Sequence, residues 1–243
     1  MPLASELQAY ETQTLSYLRG RGELTPGTYH SIPVEHFNPK GRDGYYTASP
    51  VGKRMIVLHF TAGYLGGDLA TLTKDSFRVS VPFVIARNGT IVKLFDTRYW
   101  SFHLGPGAVG GNTTGSKQSV AIELSNVGPL DLAGNWLWTA WGSKYCKVSE
   151  VEYYQELATP YRGSKYYATF TDAQYDAVDA LLTEISDEHG VPLTFLSEPD
   201  RYDMFASAAE AKTYRGVCSH VNFRPPTDKS DIGPAFGWSR IGA

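Results

Sequence analysis

The strongest pattern in the chain lies in its C-terminal third. Ala177, Val178, Leu181, Leu182 and Ile185 recur at three- and four-residue intervals among polar positions, so a helix over 172–189 would carry one apolar face. Thr171 precedes it and Gln174 follows three residues on, the spacing of a capping box. A second helix is expected where Leu3, Leu7, Tyr10, Leu15 and Leu18 share a face and Gly20 can end it. Shorter helices are expected at 68–75 and near 203–213.

Two unbroken apolar runs, RMIVLHF (54–60) and SVAIEL (119–124), are too short for helices and read as buried strands. Strand-like runs at 79–86 and 90–95 flank Asn88-Gly89, a pair that favours a tight hairpin turn. GVCSH (216–220) reads as a further strand. Residues 21–50, rich in Gly, Pro, Tyr and His, read as an irregular arm, and 104–117 as a flexible loop. Residues 127–170 hold Trp136, Trp138, Trp141 and many tyrosines without a clean period, and read as a long surface excursion; 221–243 read as a polar loop and tail. The order strand, helix, hairpin, strand, helix, strand predicts an α/β fold in which helices flank a central mixed sheet. One domain is expected over 51–243, with the arm 1–50 packed on it and the insertion at 127–170.

Composition narrows the function. With 42% hydrophobic and 19% charged residues among 243, the chain can bury a sizeable core. A net charge of −3 supplies no field for nucleic acid or an anionic membrane. No apolar run approaches the roughly 20 residues needed to span a bilayer. The start, MPLASELQAYETQ, lacks a basic then apolar leader. Two cysteines, Cys146 and Cys218, make no disulfide framework. The expectation is a monomer made in the cytoplasm.

Candidate chemistry sits at strand ends. His59 closes one apolar strand, His220 closes another, and Asp231 lies 11 residues beyond His220. Two imidazoles and a carboxylate suit a zinc ion with a fourth position left for water; two histidines bonded to backbone at strand termini is the plainer alternative. Glu123 interrupts an apolar strand, where a carboxylate is costly unless it is paired or faces a cleft. It is a candidate base, or an ordinary solvent-facing acid. Lys229, two residues before Asp231, is a candidate oxyanion stabiliser or a solvated loop lysine. His103 and Trp100, in YWSFHLG, are candidates for lining a substrate pocket. Cys218 shares strand alternation with His220, though a small buried apolar role suits it better. Trp136, Trp138 and Trp141 are candidates for stacking on sugar rings or for ordinary packing. Gly105, Gly107 and Gly110 fit a dinucleotide fingerprint in spacing only, because no helix pattern follows them.

Taken together, these segments resemble the zinc amidases that cut peptidoglycan between N-acetylmuramic acid and L-alanine, including peptidoglycan recognition proteins and amidase-type phage lysozymes. IVLHFTAG (56–63), VSVPFVIARNGTIVKLF (79–95), WSFHLG (100–105), SVAIELSN (119–126), TDAQYDAVDALL (171–182) and CSHVNFRPPTDKSDIGPAFGW (218–238) follow the family's order. The resemblance implies one Zn²⁺ per chain on His59, His220 and Asp231. Glu123 would be the catalytic carboxylate, Lys229 the oxyanion stabiliser, and peptidoglycan or a muropeptide the substrate. The closing loop is one residue longer than the family pattern, which makes Asp228 the rival third ligand; Val81 and Pro82 stand where some relatives have tyrosine and histidine. The resemblance further implies action in the cytoplasm, or in the periplasm or cell wall after holin-type release or dedicated export. A non-catalytic peptidoglycan-binding module of the same fold is the alternative.

Overall fold

The structure is a computed structural model that describes residues 1–243. After a short 3-10 turn at Ala4–Glu6, α1 (Leu7–Gly20) leads into β1 (Leu24–Tyr29) and β2 (Ile32–Phe37). Then follow β3 (Met55–Phe60), α2 (Leu65–Leu72), β4 (Phe83–Ile85), β5 (Ile91–Lys93), α3 (Asn112–Lys117) and β6 (Ser119–Leu124). The insertion holds β7 (Pro129–Ala133), β8 (Trp136–Thr139), β9 (Lys144–Lys147), β10 (Tyr154–Tyr161) and β11 (Ser164–Ala168). α4 (Asp172–His189), α5 (Ala208–Thr213) and β12 (Gly216–Ser219) complete the set.

The main sheet is mixed and runs β1-β2-β5-β4-β6-β3-β12. β3 lies between β6 and β12 and is parallel to both. All six of its residues are buried, which is why it reads as an unbroken apolar run. α4 covers one face, packing Val178, Leu181, Leu182 and Ile185 against Ile56, Leu58, Ile122 and Leu124. On the other face, Leu15 of α1 and Leu65 and Leu69 of α2 join Val84, Val92 and Ala121. The expected α/β architecture is therefore the observed one.

Several local expectations change. The arm at 21–50 is not irregular, since β1 and β2 form a hairpin and β2 extends the main sheet in parallel beside β5. The insertion at 127–170 is a second, five-stranded antiparallel sheet, ordered β10-β11-β7-β8-β9. Its strands are short, and an irregularity after Leu137 turns both Tyr145 and Cys146 inward, which erases the alternation that would have announced them. The supposed loop at 104–117 ends in α3. α2 starts earlier than expected because Leu65 and Leu69, one turn apart, are both fully buried. The helix near 203–213 shrinks to α5, capped by Ser207, whose side chain accepts from the Glu210 N–H. The strand at 216–220 stops at Ser219, and His220–Phe223 form a 3-10 turn.

The α4 start ties helix to sheet. Thr171 Oγ accepts the Gln174 N–H at 3.2 Å and donates to the Arg87 carbonyl at 2.6 Å. Gln174 Nε2 donates to the Ser125 carbonyl at the end of β6, at 2.9 Å. Thr171→Ala should cost about 1–2 kcal/mol, seen as a thermal midpoint lower by roughly 2–8 °C for a chain of this size, while Thr171→Ser should keep most of the stability. An alanine variant that melts with the parent would show that the cap carries no weight.

Candidate metal centre and catalytic cleft

Parallel pairing assembles the site. His59 of β3 is the register partner of Glu123 of β6, and Leu58 is the partner of Ser219 of β12. His220, next after Ser219, therefore emerges beside His59 at the carboxyl ends of the strands, where open α/β sheets place their ligands. Asp231 returns to this point because its carbonyl accepts the Val221 N–H at 2.9 Å, and Ser219 Oγ donates to the Ile232 carbonyl at 3.2 Å.

The ligand atoms of His59, His220 and Asp231 all lie within 4.8 Å of one another, and all three residues are buried. Asp231 Oδ2 is 3.1 Å from His59 Nδ1 and 2.9 Å from His220 Nδ1. The outward nitrogens decide what faces that oxygen. His220 Nε2 is 3.1 Å from the Leu104 carbonyl, which can only accept, so Nε2 carries the proton. Ser119 Oγ donates to the Gly115 carbonyl at 2.8 Å and so accepts from His103 Nε2 at 2.7 Å. His103 Nδ1 is then a lone pair and takes the N–H of His59 Nε2 at 3.0 Å. Burial, then the neighbouring His220, push His59 down to about 4, and burial lowers His103 as well. In their neutral forms both ligand histidines thus aim Nδ1 lone pairs at a carboxylate. Two lone pairs and an anion in contact repel unless a cation lies among them. The donor set and its outer hydrogen bonds, each ligand imidazole donating its far N–H, fit a zinc ion.

The cleft beside these residues has a volume of about 310 Å³ and is lined by Phe102, His103, Glu123, His220, Lys229 and Asp231 among others. Glu123 Oε2 is sequestered without a hydrogen-bond partner. Burial foremost, then Asp231 and Asp68, raise its pKa well above the usual value, with Lys229 acting against them. The structure separates the two candidate aspartates, because Asp228 is exposed and ion-paired with Arg224 while Asp231 sits in the cluster.

Other expectations are redistributed. His103 lines the cleft, and both its ring nitrogens are engaged, by His59 and Ser119. Trp100 is not among the cleft residues; Lys117 Nζ lies 4.9 Å from its ring centroid, and Phe102 is the aromatic that lines the cleft. Cys218 is buried beside Met55 and Val57, with its thiol pushed up by burial, and stays out of the centre because the strand ends before His220. Trp141 packs edge-on against Tyr64 at 5.4 Å. Trp136 and Trp138 share the outer face of β8, with Lys144 Nζ at 4.6 and 5.7 Å from their centroids. Gly105 and Gly107 sit beside Arg224, whose Nη1 donates to the Leu104 carbonyl at 3.5 Å and also to Pro106. Sequence reasoning missed Ser119 and the Leu104 carbonyl; a serine opening a strand and a backbone oxygen carry no pattern of their own.

The family model described as N-acetylmuramoyl-L-alanine amidase matches residues 47–234. The chain belongs to this amidase family. None of the curated proteins matches it. Among solved structures, the amidase chain is similar to AmiD from E. coli in complex with its substrate anhydro-N-acetylmuramic acid-L-Ala-D-gamma-Glu-L-Lys, at 21% identity and TM-score 0.48, covering 89% of this chain and 64% of that one. It is also similar to AmpDh3 from Pseudomonas aeruginosa in complex with anhydromuramic pentapeptide, at 16% identity and TM-score 0.47, covering 85% of this chain and 64% of that one. A third is LysC, an N-acetylmuramoyl-L-alanine amidase from Clostridium intestinale URNW, at 12% identity and TM-score 0.42, covering 85% and 92%. The chain thus spans somewhat under two thirds of the first and second of these structures.

If His59, His220 and Asp231 form one centre, Asp231→Asn should abolish retention of zinc by the purified protein, whereas Asp228→Asn should keep one ion per chain by elemental analysis. The reverse result would exchange the two aspartates.

Proposed function

We propose that this chain is a zinc-dependent N-acetylmuramoyl-L-alanine amidase, hydrolysing the amide between N-acetylmuramic acid and L-alanine in peptidoglycan or muropeptides. Family membership supports the reaction class. The observation that carries the mechanism is the unpartnered carboxylate oxygen of Glu123 in the same cleft as the three converging donors.

In this reading His59, His220 and Asp231 hold the ion. When bound, zinc supplies Lewis acidity, lowering the pKa of a water and polarising the amide carbonyl. Glu123 takes a proton from the attacking water and passes one to the departing L-alanine amine. Its raised pKa makes it a stronger base and a better proton carrier than a solvated carboxylate. Lys229, exposed at the cleft, sets its ammonium against charge developing on the carbonyl oxygen. His103 acts on the ligand, not the substrate: with Ser119 behind it, it fixes the His59 tautomer that presents Nδ1. No helix is long and apolar enough to cross a membrane, and the proposed site of action is the cell wall or its soluble fragments. The alternative, a binding module without catalysis, leaves Glu123 without a task.

Glu123→Gln should retain zinc yet lose roughly 100–10,000-fold in turnover, measured as release of stem peptide from purified sacculi. Near-parental release would remove Glu123 from the mechanism, and no release by the parent would favour the binding module. Glu123 works as a base only when ionised and its pKa is raised. The kcat/KM profile should therefore fall with decreasing pH through a midpoint above the ordinary carboxylate value of about 4.3. A limb at or below that value would contradict the assignment.

A further inference from the structure

The second sheet reaches into the site through one side chain. Its β10–β11 hairpin turns at Arg162-Gly163, flanked by the paired residues Tyr161 and Ser164. Both turn residues have positive φ, 47° for Arg162 and 89° for Gly163. Asn, Asp or Gly suit the first position of such a turn, and an arginine there is conformationally disfavoured. A disfavoured residue at a tip invites the question of what its side chain reaches.

The Arg162 guanidinium reaches four backbone carbonyls. Nη1 donates to Arg224 at 3.3 Å, to Pro225 at 3.2 Å and to Lys229, while Nη2 donates to Val221 at 3.2 Å. These four residues span the loop that leaves His220 and must bring back Lys229 and Asp231. Besides these the loop is tied by the Val221 N–H to the Asp231 carbonyl at 2.9 Å, the Arg224–Asp228 ion pair, the Arg224 N–H to Val221 at 3.3 Å and the Asp228 N–H to Pro225 at 3.1 Å, none of which crosses from 221–225 to Lys229. A guanidinium presents five N–H donors in a planar fork, suited to gathering several carbonyls, and it stays charged. The neighbouring Tyr161 braces the same region: its OH donates to the Tyr202 carbonyl at 2.8 Å, and its ring lies where a side chain on Gly233 would project.

We propose that Arg162 is a positioning residue for the metal centre, and that the insertion sheet exists in part to deliver it. It folds the 221–229 segment into the one shape that returns Asp231 to His220 and holds Lys229 at the cleft. Arg162 touches neither metal nor substrate. The proposal rests on the metal-dependent reading above.

The test compares the full chain with Arg162→Ala and Arg162→Lys. Zinc affinity is read by competition with a chromogenic chelator, thermal midpoints are measured on zinc-free protein, and kcat and KM are measured on a soluble N-acetylmuramoyl peptide. Arg162→Ala should lose roughly 10–100-fold in zinc affinity, as outer partners of metal ligands do, and kcat should fall more than KM rises. Millimolar guanidinium should restore part of both losses. Arg162→Lys should recover little, since one ammonium cannot serve four carbonyls at once. Parental zinc affinity and kcat in Arg162→Ala, whatever its melting temperature, would overturn the proposal. Should the alanine variant not fold, the lysine variant decides: parental zinc affinity there overturns the assignment, and a deficit relieved by guanidinium supports it. A parent that binds zinc but releases no peptide would defeat the amidase reading and leave the affinity comparison standing.

Discussion

Register between parallel strands is the constraint on which the cleft depends. The ladder that pairs His59 with Glu123 and Leu58 with Ser219 brings an imidazole and a carboxylate to one end of the sheet, with His220 the next residue out. Side chains alternate along a strand, so a slip of one residue would turn His59 into the opposite layer. Six consecutive buried residues in β3 fix that register by packing on both faces. The apolar core and the polar centre are thus two results of one pairing.

Around this frame the polar groups follow a strict order of donors and acceptors. Backbone carbonyls of Gly115 and Leu104, which can only accept, dictate where the protons sit on Ser119, His103, His59 and His220. The chain of assignments ends at the carboxylate of Asp231, where lone pairs accumulate in a buried space. Such an arrangement is unfavourable on its own, and a divalent cation resolves it. In the proposed reading, the fit to a metal thus depends on carbonyl and hydroxyl partners behind the imidazoles as much as on the three donors themselves.

Much of this was legible in the amino-acid order. β6 spans the residues of SVAIEL, and α4 runs over 172–189 behind the Thr171–Gln174 box. His59, Glu123 and His220 stood out because polar residues closing or interrupting apolar strands need a reason, and Asp231 through its place 11 residues beyond His220 in the closing segment. The less legible parts share a cause. The β1–β2 hairpin carries Pro26, Gly27 and Pro33, which look like loop. The second sheet hides behind short strands and an irregularity after Leu137. His103 lines the cleft as expected, but its bonds to His59 and Ser119 were not legible, because those partners, one of them 44 positions away, come together only in three dimensions. Arg162 gave no signal, since its partners are main-chain oxygens 59 to 67 residues distant.

The margins of the main sheet complete the picture. β1 forms one border, and its exposed Pro26 lacks the N–H that a docking strand would need. The opposite border, β12, is four residues long and already meets the 194–195 segment through the Val217 N–H to the Thr194 carbonyl at 2.8 Å. Neither rim presents a long row of free main-chain groups. A sheet built to hold chemistry at its carboxyl end is, along its sides, a poor template for fibre growth.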